Sequence, residues 1–88
     1  MYTESILDKQ ISWRSRRGVL ELDHVLEQYW QAHKATMDDA HKQRFTILLE
    51  CQDPQLLQYL VYRSADAEEA AIQALVSDIR DFIDQQHD

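Results

Sequence analysis

Apolar residues recur along this chain at three- and four-residue intervals, and short polar segments divide them into five stretches. That period is the signature of helices with one buried face. The first stretch opens near Thr3 or Ser5, where Ser5 and Asp8 stand at capping-box spacing, and carries Ile6 and Ile11 ahead of Trp13. The second starts around Gly18 and sets Leu22, Val25, Leu26 and Tyr29 on one stripe. Thr36 is the expected cap of the third, with Asp39 reaching back to it and Phe45, Leu48 and Leu49 following at helical spacing. Asp53-Pro54 predicts the fourth start. There Asp suits the N-cap because its carboxylate accepts an orphan N–H, and Pro suits N1 because the N–H it lacks would have no partner. Leu56, Leu57, Leu60 and Val61 follow. A final helix is expected after Asp66, with Glu69 at capping-box spacing and a buried face of Ile72, Leu75, Val76, Ile79, Phe82 and Ile83.

None of these stripes can be buried by its own helix, so the helices must pack on one another, and short connections favour antiparallel neighbours. The expected fold is all-α, a compact five-helix bundle forming a single domain over residues 1–88. One Gly, one Pro and few β-branched runs exclude the turn-rich pattern of a sandwich or barrel. A domain of this size buries about 60% of its unfolded surface. That leaves a thin core and an exposed functional face, and no deep, walled active site is expected.

The net charge of -7 disfavours nucleic acid as a partner, because such binding draws its affinity from Lys and Arg displacing counterions. The acidity is uneven. Arg14, Arg16 and Arg17 cluster near one end, while Asp78, Asp81, Asp84 and Asp88 mark the other. No apolar run approaches the roughly 20 residues of a membrane span, so no membrane insertion is expected. The start Met1-Tyr2-Thr3-Glu4-Ser5 lacks the flanks of a signal or transit peptide, which makes cytoplasmic residence the expectation. Cys51 is the single cysteine, so neither an intrachain disulfide nor a multi-thiolate metal site is available.

Candidate chemistry is sparse. Gly18, the lone glycine, follows Arg17 at a helix start, where it permits either a sharp bend or the close approach of foreign backbone. Arg17 and Glu21 stand four residues apart: they form an intrahelical ion pair, or they offer a planar donor fork and an acceptor to a partner. Glu21-x-x-His24 has the spacing used by di-iron bundles, yet no second copy of the motif occurs and no metal site is assigned. His33, His41 and His87 show no ligand spacing with Cys51, which itself follows an apolar run and reads as an inert helix residue. Tyr29 and Trp30 read as core residues ahead of a flavin-stacking platform. A single glycine cannot build a phosphate cradle, so no cofactor-binding and no catalytic residues are assigned. A helix-turn-helix DNA reader is opposed by the acidic tail.

Trp13, Arg16-Arg17-Gly18 and Glu21-Leu22-Asp23, followed by Phe45, Leu48-Leu49-Glu50 and Asp53-Pro54, occur in an order and spacing that resemble the succinate dehydrogenase FAD assembly factor family. The resemblance runs from about Ile11 through Leu60. It meets the family's Arg-Gly-x-x-Glu signature at Arg17, Gly18 and Glu21. Tyr59 stands where many bacterial members carry tryptophan, and no motif is matched beyond Arg63.

The resemblance implies a five-helix, non-enzymatic chaperone for the flavoprotein subunit of succinate dehydrogenase or fumarate reductase. The FAD is attached covalently to that partner by the partner's own histidine, and no cofactor is held stably by this chain. Arg17, Gly18 and Glu21 are carried over as the partner-binding face, with Arg16, Arg14, Trp13 and Asp23 extending it. The free chain is expected to be a monomer. An antitoxin-like or other small helical interaction module is the alternative, drawn from an older family label.

Overall fold

In the computed structural model, which describes residues 5–86, the chain runs through α1 (Ile6–Arg14), α2 (Leu20–His33), α3 (Asp39–Leu49), α4 (Asp53–Leu60) and α5 (Ala70–Gln86). The expected all-α five-helix architecture is the one observed. Thr3, His87 and Asp88, named above as a cap, a histidine and part of the acidic tail, lie outside the described residues. α1 packs on α3 and α2, α2 on α4 and α5, and α5 closes over α3 and α4. Among the described residues no helix is long and apolar enough to cross a membrane.

The stripes meet in one core built around Trp30, Tyr29, Phe45, Leu22, Leu26 and Leu48. Tyr29 and Trp30 are core residues, as read, with Tyr29 meeting Phe45 and Phe82 edge-on at centroid distances of 5.6 Å each. Val25, Phe82 and Ile83 are only partly buried against this cluster. α1 departs from its hydrophobic pattern: Ile6 is 78% exposed, while Asp8 and Ser15 are buried. Its inward stripe is Leu7, Ile11 and Ser15, with Asp8 beside it. Two polar residues therefore stand where hydrophobicity alone would place none.

Those polar residues are satisfied locally and across the bundle. The capping box of Ser5 and Asp8 forms as expected, at 3.1 Å and 3.0 Å in its two directions. Asp8 also pairs at 2.7 Å with Lys42 of α3, whose side chain is itself largely buried. The ion pair joins the faces of α1 and α3.

The remaining helix starts differ from expectation. α2 begins at Leu20 with Val19 as its N-cap, not at Gly18. Thr36 does not cap α3; its hydroxyl donates to the His33 carbonyl and finishes α2, while Asp38 is the N-cap and accepts from the His41 N–H at 2.8 Å. Both Thr and Asp are good caps, and the turn after α2 consumes the first of them. At α4 the N-cap is Gln52, so Asp53 is already helical and its carboxylate is free for a long-range partner. α5 begins at Ala70, beyond the expected Asp66. Asp66 instead accepts from Arg80 at 3.2 Å, and Arg80 also donates to the carbonyls of Tyr59 and Ala65 at 2.7 and 2.9 Å. One guanidinium thus lays the α4–α5 connection along α5.

The Tyr29 hydroxyl lies in a small polar network at the α3–α5 seam. It donates to Asp78 at 2.7 Å and sits 3.1 Å from His41 Nε2. Burial and Asp78 push the Tyr29 pKa far up, so the hydroxyl keeps its single proton. With that proton committed to Asp78, His41 must supply the other bond, which places its own proton on Nε2. Burial lowers the His41 pKa below the ordinary 6.5, with Asp78 and Asp38 pulling upward and Arg44 and His33 pushing down.

Breaking the α1–α3 ion pair should be costly, because Lys42 would keep a buried charge. Asp8→Asn is expected to lower stability by about 3 kcal/mol in urea unfolding. For His41 the folded pKa is the depressed one, so its contribution is complete above 6.5 and is lost as pH falls through the folded value. The melting temperature should therefore drop between about pH 7.5 and about pH 5.5, and His41→Gln should flatten that drop.

Candidate functional site

Residues 15–19 connect α1 to α2. Ser15 ends α1 by donating from its hydroxyl to the Ile11 carbonyl at 2.7 Å, and Arg16 N–H reaches the Trp13 carbonyl at 3.3 Å. The chain then turns outward. Asp23, in the first turn of α2, reaches back to accept the Arg17 N–H at 3.0 Å. Val19 offers no side-chain cap, so the acidic residues Glu21 and Asp23 complement the positive end of the helix.

Arg17 does not lie on α2 and makes no pair with Glu21. Its guanidinium crosses to the α3–α4 turn, donating to the carbonyls of Leu49 and, at 3.3 Å, Cys51, and lying 3.5 Å from Asp53. Its side chain is 15% exposed. The physical demand is plain: the last carbonyls of α3 have no helical partner, and its final turn carries no basic residue. Arg17 supplies both donors and charge to that negative helix end. Arg17 therefore has a role in the fold that the spacing to Glu21 had hidden.

Gly18 is neither a left-handed residue nor a packing necessity. Its φ is not positive, and a Cβ built there meets nothing within 4 Å. The chain does bend at Gly18 and Val19, as one of the two readings had it, but the bend does not require glycine. The fold alone would accept any small residue.

Around this pinned loop the surface is apolar and basic. Trp13 is 76% and Leu20 79% exposed, and Arg14 and Arg16 are exposed beside them. Trp13, Arg14, Arg16 and Arg17 line one shallow depression of about 360 Å³, closed below by Leu49 and Glu50 of the α3 end. Four of the seven candidate residues are thus brought together. Glu21 is not among them; it is exposed and borders a different groove, formed with Val25, Leu60 and Ile83. Asp23 is partly buried in its bond to Arg17.

Sequence reasoning missed Leu20 as a surface residue and the α3 end as a neighbour of the signature. The Leu48-Leu49-Glu50 and Asp53-Pro54 markers were visible in the chain. Their contact with Arg17 was not.

Other chemistry is thin. Burial raises the Cys51 thiol pKa against the opposing pull of Arg17, which keeps it protonated and weakly nucleophilic near neutral pH. Among the described residues no group of three His, Cys, Asp or Glu side chains could hold a metal ion.

The model of the family described as "Flavinator of succinate dehydrogenase" matches residues 9–83. The chain belongs to that family. The match runs into α5, so the last helix, for which no motif was found, is part of the family pattern. Curated relatives named FAD assembly factor SdhE include one from Haemophilus ducreyi, 32% identical over 81% of this chain and 85% of its own length. Those from Pseudomonas aeruginosa and Pasteurella multocida are 36% and 35% identical, over 83% and 81% of this chain and 86% and 83% of their own. No solved structure matches the chain.

Two substitutions separate the fold role from the surface role. Arg17→Ala should cost about 2 kcal/mol, because two carbonyls and Asp53 lose a charged donor. Gly18→Ala should leave stability unchanged or raise it by about 0.5 kcal/mol, since the backbone is ordinary and the unfolded chain loses freedom. Urea denaturation of both variants checks the pair.

Proposed function

We propose that this chain is a non-catalytic assembly factor that binds the flavoprotein subunit of succinate dehydrogenase, or of the related fumarate reductase, and promotes covalent attachment of FAD to it. The observation that carries this reading is Gly18. It is a glycine the fold does not require, on a loop tied down by Arg17 and Asp23 and flanked by exposed Trp13, Arg16 and Leu20. A bare backbone there lets a partner surface approach closely, and apolar side chains beside arginines are the residue types that anchor interfaces. The family description, which names succinate dehydrogenase, and the relatives' name, FAD assembly factor, support this choice of partner.

In this reading the chemistry stays with the client. FAD binding by this chain finds no support in its residues: one glycine cannot cradle a pyrophosphate, and the depression beside Trp13 is shallow. The chain instead offers a docking face of modest size, suited to a chaperone that must release its client, and acts as a monomer in the cytoplasm. Arg17 contributes mainly by holding the loop; Trp13, Arg14, Arg16, Gly18 and Glu21 make the contacts.

Covalent flavin on the client, read by fluorescence after denaturing electrophoresis, tests the assignment. Co-expression of the flavoprotein subunit with the Gly18→Arg variant should give at least about ten-fold less covalent flavin than with wild type, equivalent to about 1.4 kcal/mol if binding limits the yield. Its melting temperature should not change. Equal flavin with Gly18→Arg, or with the chain omitted, would remove the assignment.

A further inference from the structure

A groove of about 440 Å³ runs between α2, the end of α4 and α5, with Val25, Leu60, Val61 and Ile83 forming its apolar floor. Glu21 and His24 stand on the α2 rim. The opposite wall is Arg63, whose guanidinium grips Asp84 at 2.6 and 3.2 Å and donates to the Arg80 carbonyl at 3.3 Å. Arg63 is the one non-glycine residue with positive φ among those described, at 54°. L-residues avoid that region, and an observed departure of this kind is a reason to look for function nearby. The Arg63 clamp on Asp84 and the Ser64 N–H bond to the Gln58 carbonyl at 2.9 Å hold the chain in this turn. The groove wall is therefore built into the fold.

We propose that this groove is a second docking element that receives an arginine or lysine side chain projected by the flavoprotein partner; the inference rests on the proposal that the chain binds that partner. Charge decides the occupant. Asp84 and Arg63 neutralise each other, whereas Glu21 makes no hydrogen bond or ion pair with any described residue. The uncompensated charge at the rim is negative. A purely apolar side chain would strip water from Glu21 without giving it a partner, and an acidic one would be repelled. A long-stemmed cation satisfies both halves of the site, laying its methylenes on the floor and its head on the carboxylate. This also accounts for the position of Glu21, which faces away from the arginine-lined depression while sharing the same loop and helix start. The two depressions would read two features of one client, an acidic-apolar one at Trp13 and Arg16 and a basic one at Glu21.

The test uses the full-length chain and the purified flavoprotein subunit before FAD attachment. Methyl NMR signals of Val25, Leu60, Val61 and Ile83 should shift or broaden when the subunit is added to the wild-type chain. Ile83→Lys, at a half-buried position near the end of α5, should raise Kd at least about ten-fold at a temperature where circular dichroism shows the variant folded. Glu21→Gln should raise Kd several-fold at low salt, and the difference from wild type should close at high salt as screening removes the ion pair. Binding by both variants equal to wild type, with the methyl signals of these four residues unmoved, would overturn the groove while leaving the partner proposal standing. Weakening by Ile83→Lys without a salt-sensitive loss in Glu21→Gln would overturn the cationic occupant. Methyl shifts that appear on concentrating the chain alone would assign the groove to a second copy and overturn it as well. No complex with the wild-type chain would instead overturn the partner proposal itself.

Discussion

The placement of the candidate docking surface depends on one guanidinium. Arg17 enters the negative end of α3, where the Leu49 and Cys51 carbonyls lack helical partners, and lies near Asp53 at the start of α4. Backbone N–H groups after α3 serve the Ile47 and Leu48 carbonyls, but the last turn carries no basic residue, and the Leu49 carbonyl takes its donor from Arg17. By supplying it from the α1–α2 connection, Arg17 ties three helices together at one point. The same contact sets the direction in which Gly18, Leu20 and Glu21 leave the body. Asp23 completes the arrangement by holding the Arg17 backbone.

Two further long-range contacts of the same kind complete the small bundle. Lys42 and Asp8 join α3 to α1, and Arg80 draws the α4–α5 connection onto α5 through the Tyr59 and Ala65 carbonyls. A chain of this length has a thin apolar core and limited means of fixing its connections. Charged side chains that reach backbone carbonyls do so without adding apolar bulk. Their heads are partly or largely removed from water, so each contact would be damaging to break from one side. The basic cluster divides in the same way: Arg17 turns inward to the fold, while Arg14 and Arg16 remain exposed at the surface.

That division also separates the proposed interface into two parts. On one side Trp13 and the exposed arginines border the α3 end. On the other, Glu21 heads an apolar groove whose far wall is the Arg63–Asp84 clamp. The signature residues Arg17, Gly18 and Glu21 are thus a structural tether, an open backbone and a surface carboxylate. They lie within five residues of one another and differ in physical role.

Much of the architecture was legible in the chain because it follows from local periodicity. The stripes Leu22-Leu26-Tyr29, Phe45-Leu48-Leu49 and Ile72-Leu75-Val76-Ile79 predicted three helices and their buried faces, and Ser5 with Asp8 predicted the first cap. Helix starts were less legible, because Thr36, Asp38, Asp53 and Asp66 are all competent caps and the competition among them is settled by where neighbouring chain segments run. The signature could be read as a set of residues, and Asp8 as one half of a capping box. What periodicity cannot carry is any contact between residues more than thirty positions apart. Arg17 meeting Leu49 and Cys51, Tyr29 meeting Asp78, and Glu21 parting from Arg17 to join Leu60 and Ile83 all depend on how helices cross. The helices and most of their buried faces could thus be read from the chain, since those depend on neighbours within a few residues. That Arg17 turns into the fold while Glu21 stays exposed followed from packing alone, because it depends on the direction each side chain takes once the helices have met.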